Sequence, residues 1–134
     1  MVLAEWTKTK GYGFTYTESY KVVEAVSDKE GKVKIEGCLF CLTNPPDVTV
    51  YKKGYVAWNN KFVFPNHTQR NEFMLTNEYM FLLEKFKQGY SFIKHQSFID
   101  VAASLSSETK KKEKFIKAYE EWEEEEVVKE RNKR

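Results

Sequence analysis

The side chains able to carry chemistry in this chain are few, and their spacing limits what each could do. Cys38-Leu39-Phe40-Cys41 has the spacing of half a zinc site or of a redox pair. The other soft ligands, His67 and His95, stand at separations that fit no usual zinc module. A redox pair would also need its first thiol exposed at a helix N-terminus. Here the surrounding residues read as a strand, where positions three apart face opposite sides, so two reduced, metal-free thiols are expected, at least one of them buried. Two histidines, three aspartates (Asp28, Asp47, Asp100) and no Gly-x-Ser-x-Gly elbow, phosphate loop or His-Glu-x-x-His helix leave few candidates for acid, base or nucleophile. The expectation is a non-enzymatic protein without cofactor or metal. Asn66-His67-Thr68 matches the glycosylation pattern, which acquires meaning only beside a secretory signal.

Binding chemistry is better represented. Lysines and rings interleave at Lys8, Lys10, Tyr12, at Lys32, Lys34, at Tyr51, Lys52, Lys53, Tyr55 and at Lys61. A groove that tracks a single strand of nucleic acid needs cations for phosphates and rings for bases. Lys8, Lys10, Tyr12, Lys34, Tyr51, Lys52, Lys53 and Lys61 therefore form a candidate nucleic-acid-binding set. The same lysines at hairpin ends and edges would also blunt sheet aggregation. The run Lys10-Gly11-Tyr12-Gly13-Phe14-Thr15-Tyr16 resembles the aromatic strand of RNA-recognition and cold-shock domains, which implies base stacking on exposed rings. It departs from those families at Thr15, where they carry an aliphatic residue. As a strand it would place Lys10, Tyr12, Phe14 and Tyr16 on one face and Gly11, Gly13, Thr15 and Thr17 on the other. Exposing the rings would then give the core only glycines and threonines, so the rings are expected inside. Glu72-Phe73-Met74-Leu75-Thr76-Asn77-Glu78-Tyr79, running into Leu82-Leu83, is similar to the final strand, cap and helix of the small coactivator and whirly-type single-strand binders.

A second candidate surface is acidic. Lys110, Lys111, Lys112 and Lys114 crowd the first half of a last helix, while Glu120, Glu121, Glu123, Glu124, Glu125 and Glu126 crowd its second half, and both blocks oppose the helix macrodipole. The glutamates could mimic phosphates and occupy a basic groove on another protein, as small viral accessory proteins do. Phe115, Ile116, Tyr119 and Trp122 share one arc and should dock on the domain. The arc continues at Glu123 and Glu126, which cannot enter a core unpaired, so packing is expected to lapse after Trp122. Deleting residues 124–134 should then leave stability nearly unchanged.

These residues need elements to hold them. A chain of 134 residues with 41% hydrophobic and 16% aromatic content supports one domain with a sizeable core. A net charge of +2 says little about partners. No apolar run reaches membrane length, and Met1-Val2-Leu3-Ala4-Glu5 turns polar too soon for a signal peptide, so a soluble intracellular protein without membrane contact is expected, host-cytoplasmic if viral.

Residues 1–76 read as antiparallel β. Strands are expected at Val2–Thr7, Lys10–Thr17, Tyr20–Val26, Lys32–Leu42, Val48–Tyr51, Tyr55–Trp58 and Phe62–Phe64, with a possible last one at Glu72–Thr76. Asp28-Lys29-Glu30-Gly31, Lys52-Lys53-Gly54 and Asn59-Asn60 carry turn chemistry, Asn44-Pro45-Pro46-Asp47 breaks the sheet, and Pro65–Asn71 reads as a loop. Helical spacing follows over 77–122: Tyr79, Met80, Leu82, Leu83 and Phe86 before Gly89, a short helix opened by Ser97-Phe98-Ile99-Asp100, and the last helix from near Ser106 or Ser107. Residues 123–134 are its charged end. The fold class is α+β: a bent antiparallel sheet or small open β-barrel packed by two or three C-terminal helices.

One feature separates the two functional readings. Lysines of residues 8–61 converging on one face with exposed rings favour single-stranded nucleic acid, whereas scattered lysines and an exposed apolar patch favour a protein partner. Either reading is compatible with a monomer or a homodimer.

Overall fold

The computed structural model describes residues 1–37, 42–71, 73, 76 and 78–134. Cys38 and Cys41 lie outside the described residues, and with them the expectation of reduced thiols on a central strand.

β1 (Val2–Lys10) is buried on both faces over its first half, with Glu5 the one charged residue there, as an interior strand requires. It pairs antiparallel with β2 (Tyr16–Ala25) and with β3 (Asp47–Val50), and β3 pairs with β4 (Trp58–Asn59), giving the order β2-β1-β3-β4. β5 (Phe62–Val63) and β6 (Thr68–Gln69) form a separate two-stranded ladder, so β6 occupies part of the expected Pro65–Asn71 loop. The class is α+β, and the four-stranded sheet stays open rather than closing into a barrel.

Both faces of this sheet are covered. On one side Leu3 and Tyr51 join Phe98, Ile99, Ala102, Phe115 and Tyr119 of the helices. On the other, Val2, Ala4, Trp6, Val48, Val50 and Trp58 are covered by Val33, Ile35, Phe73, Phe81 and Leu83. Those covering residues come from segments with no strand or helix assignment, including 32–37, where a strand was expected. The turn before it forms as anticipated: Gly31 takes φ 79°, its N–H donates to Asp28 O at 3.0 Å, and Asp28 Oδ1 accepts from the N–H of Glu30 and of Lys32.

Of the helix expected over 77–89, the described residues 78–89 form none. Tyr79 and Phe81 pack their rings 5.9 and 4.7 Å from Trp58, while Met80 and Leu82 between them are 80% and 82% exposed. That alternation has the period of extended chain. Val56 N–H donates to Glu84 O at 2.7 Å and Phe86 N–H to Gly54 O at 2.9 Å, so the backbone of 84–86 is satisfied by 54–56. A long-range ladder and the Trp58 ring outweigh a helical pattern of apolar residues.

α1 (Phe92–Ala102) starts earlier than expected, with Ser91 as its cap: Ser91 Oγ accepts from Lys94 N–H, and Ser97 is interior. His95, Phe98, Ile99 and Ala102 form its buried stripe. A 3-10 turn (Thr109–Lys112) leads into α2 (Glu113–Asn132). There Phe115, Tyr119, Glu123 and Val127 are all buried, so packing does not lapse after Trp122. Glu123 enters the core because α1 offers it a partner. His95 Nδ1 lies 2.5 Å from Glu123 Oε1, and His95 Nε2 accepts the N–H of Ala57 at 2.8 Å. With Nε2 accepting, the proton of the neutral ring sits on Nδ1 and is donated to the carboxylate.

A second buried charge ties the helices to the sheet. Lys112 Nζ, sealed from solvent, lies 3.1 Å from Glu5 Oε2 and donates to Ser104 O at 2.8 Å, and Ser19 Oγ donates to Glu5 Oε2 at 2.9 Å. Each helix also receives a carboxylate at its N-terminus from elsewhere in the chain. Glu24 Oε2 accepts Phe115 N–H at 2.7 Å, and Glu130 accepts from Ser91 Oγ at 2.5 Å and Phe92 N–H at 2.7 Å.

Candidate functional site

The run Lys10–Tyr16 is not a strand but the tip of the β1–β2 hairpin. The last registered pair is Lys10 with Tyr16, and the chain reverses between them. Gly11 and Gly13 make the reversal possible at φ 116° and 79°, a region L side chains rarely adopt. A Cβ on Gly11 would sit 2.0 Å from Phe14 O. The reversal carries the rings past the end of the core, correcting the expectation that they are buried: Tyr12 is fully exposed, Phe14 is 93% exposed, and Tyr16 is largely exposed.

The stem behind the tip is well tied. Nine register pairs join β1 to β2, with a bulge that accommodates Tyr20 between the pairs of Trp6 and Thr7. Lys10 Nζ lies 2.5 Å from Glu18 Oε2; that hydrogen bond raises the lysine's pKa and lowers the carboxylate's. Lys8 Nζ sits 3.9 Å above the Tyr20 ring. On the other side of β1, Asn44 N–H donates to Thr7 O and its side-chain amide to the hydroxyls of Thr7 and Thr9. Leu42, two residues before Asn44, is exposed as well. The result is a braced stem ending, among the described residues, in an aromatic knob open to solvent.

The other members of the lysine and ring set lie elsewhere. Tyr51 is a core residue, its ring packed edge-on against Phe115 and Tyr119, and burial pushes its hydroxyl pKa up, with Glu123 adding to the effect. Lys52 and Lys53 follow β3 at the end of the sheet where Val2 pairs with Val50, roughly 25 Å along β1 from Lys10. Lys52 rests over Tyr55, Lys34 is exposed in the irregular segment after the Gly31 turn, and Lys61 pairs with Asp47 at 3.6 Å. Only Lys8, Lys10 and Tyr12 are brought together.

The acidic set is split between structure and solvent. Glu123 is fully buried against His95, and Glu125 and Glu126 pair with Lys129 at 2.8 and 2.9 Å. Glu120, Glu121 and Glu124 are exposed. No continuous acidic face of all six exists.

The two histidines differ in how their ring nitrogens are met, and the buried Nε2 of His67 has no hydrogen-bond partner among the described residues. His95 has each ring nitrogen engaged, and His67 stands in the turn between β5 and β6 with its ring 5.2 Å from Phe98. Among the described residues no cluster of His, Cys, Asp and Glu is arranged to hold a metal ion, and no helix is long and apolar enough to cross a membrane. Open clefts among the described residues include two. One of about 430 Å³ is lined by Phe86, Tyr90, Phe92, Trp122, Glu126 and Glu130 among others, and one of about 790 Å³ by Asp100, Ser104, Tyr119 and Glu120 among others.

Sequence reasoning passed over Phe14, Tyr16 and Leu42 as surface residues and Glu130 and Lys112 as structural ones. The Gly-Tyr-Gly triplet was the available signal for the tip, since two glycines one residue apart suit a reversal better than a strand. Nothing local marks Glu130 or Lys112, whose partners are 39 and 107 residues away. No family model matches the sequence, and no curated protein and no solved structure matches it.

Proposed function

We propose that this chain is a non-enzymatic binding module that engages a protein partner through the tip of its β1–β2 hairpin. The observation that carries the reading is the exposure of Tyr12, Phe14 and Tyr16 on a stem held by a full antiparallel ladder. Three rings in water on a rigid arm give large apolar contact area at little ordering cost, the property that makes aromatic residues interface anchors. Scattered lysines and an apolar tip support a protein over a nucleic acid as the principal partner. The acidic end of α2 is a weaker docking surface, because Glu123 is sealed and Glu125 and Glu126 are paired within the helix.

A second reading rests on one further observation, that Lys8 and Lys10 flank the same three rings. It assigns the tip to single-stranded nucleic acid, with the rings stacking bases at about 1–3 kcal/mol each and the lysines meeting phosphates.

The test compares wild-type protein with the Tyr12→Ser, Phe14→Ser double variant in affinity capture from cells that express the chain, alongside gel-shift titration of 20-mer DNA and RNA at two salt concentrations. The principal reading expects a protein that co-purifies with wild type and is lost from a variant of unchanged melting temperature. Salt-sensitive retardation of single strands, abolished by the same variant, favours the second reading. A variant that behaves as wild type in both assays defeats both.

A further inference from the structure

The seam between α1 and α2 is closed by two carboxylates one heptad apart on α2. Glu123 reaches His95, and Glu130 reaches the first turn of α1, accepting from Ser91 Oγ, Phe92 N–H and, at 3.3 Å, Ile93 N–H. Val127 between them is buried, and Trp122, just before Glu123, meets Phe92 edge-on at 5.4 Å. The end of α2 thus forms one wall of the cleft that contains Phe86, Tyr90 and Phe92. We infer that this seam is a carboxylate latch: acid releases Glu130 from the α1 N-terminus, frees the last turns of α2 and uncovers the rings beneath.

The charges around the latch are consistent with that assignment. Facing Glu130, α1 presents hydrogen-bond donors, and Arg134, two residues past the end of α2, stands 3.5 Å away. Lys87 from the loop before α1 lines the same cleft but is held by Glu84 at 2.7 Å, and Lys129 is held by Glu125 and Glu126; Lys133 completes the cleft's basic groups. Facing Glu123 are His95 from α1, the Tyr51 hydroxyl after β3 and Tyr119 on its own helix. The carboxylate of Glu130 therefore gets its main stabilisation from donors that a protonated acid would satisfy poorly. Burial works against its charge, but the bonds from Ser91, Ile93 and Phe92, with Arg134 nearby, outweigh that and hold its pKa below the ordinary 4.5. A depressed carboxylate contributes fully above its unfolded value and loses that contribution as pH falls through its lower folded value, so the latch opens below pH 4.5.

The test is amide hydrogen exchange by NMR on the full chain between about pH 7 and about pH 3, corrected for intrinsic rates. The amides of Phe92 and Ile93 should lose about tenfold or more of their protection at the acid end while those of β1 keep theirs. Glu130→Gln should show the reduced Phe92 and Ile93 protection already at neutral pH, with a nearly flat profile. A Glu130→Gln profile that tracks wild type overturns the latch. So does acid loss of protection in β1 and α1 together, because that is global unfolding.

Discussion

At the tip of the hairpin, three rings stand in water although their chemistry favours burial; in the second half of α2, a carboxylate is sealed from water although its chemistry resists burial. The difference lies in what each stretch finds within reach. The tip runs past the last residue of the core, and its backbone is committed to a reversal by Gly11 and Gly13, so among the described residues no apolar surface lies opposite the rings. The buried face of α2 lies along α1, where His95 and Ser91 supply donors at the spacing of Glu123 and Glu130. In these two stretches burial follows the availability of a partner more closely than the polarity of the side chain, although Glu123 Oε2 itself has no hydrogen-bond partner among the described residues.

The largest effect is expected where a stretch that looks solvated is structural. Removing residues 124–134 takes away buried Val127 and the Glu130 bonds to α1, and should cost about 3–6 kcal/mol in urea unfolding. Next comes Lys112→Ala, which leaves Glu5 buried without its cation and should cost about 3–5 kcal/mol in the same measurement. At the tip, Gly11→Ala forces a side chain into φ 116° against Phe14 O, so a loss of about 1–3 kcal/mol is expected, read as a lower melting temperature. The smallest effect belongs to the rings themselves: Tyr12→Ser with Phe14→Ser should change stability by less than about 0.5 kcal/mol, because neither ring packs on the core. A large loss from the double substitution, or none from the truncation, breaks the comparison.

Legibility in the sequence followed the range of the forces involved. The first strand, the Gly31 and Gly54 turns, the α+β order and the arc of Phe115, Tyr119 and Trp122 could all be read because period and turn chemistry act over a few residues. The extended course of 79–86 could not, since its hydrogen bonds go to 54–56 and its rings go to Trp58. The early start of α1 at Ser91 was hidden because its stronger cap is a glutamate 39 residues downstream. The candidate site was half legible: Lys10 and Tyr12 were singled out, but strand alternation applied to a hairpin tip pointed the rings of Tyr12, Phe14 and Tyr16 inward. Tyr51 was misplaced for the converse reason, because a tyrosine next to two surface lysines gives no local sign that its own side chain faces the helices.

The most direct test of this account is photochemically induced nuclear polarisation, which lights up aromatic rings open to a dye in solution. The account predicts strong signals from Tyr12 and Tyr16 and silence from Tyr51 and Tyr119 in the free protein. A silent Tyr12 would mean that the tip folds back onto the domain, and the exposed knob on which the proposed partner docks would not exist.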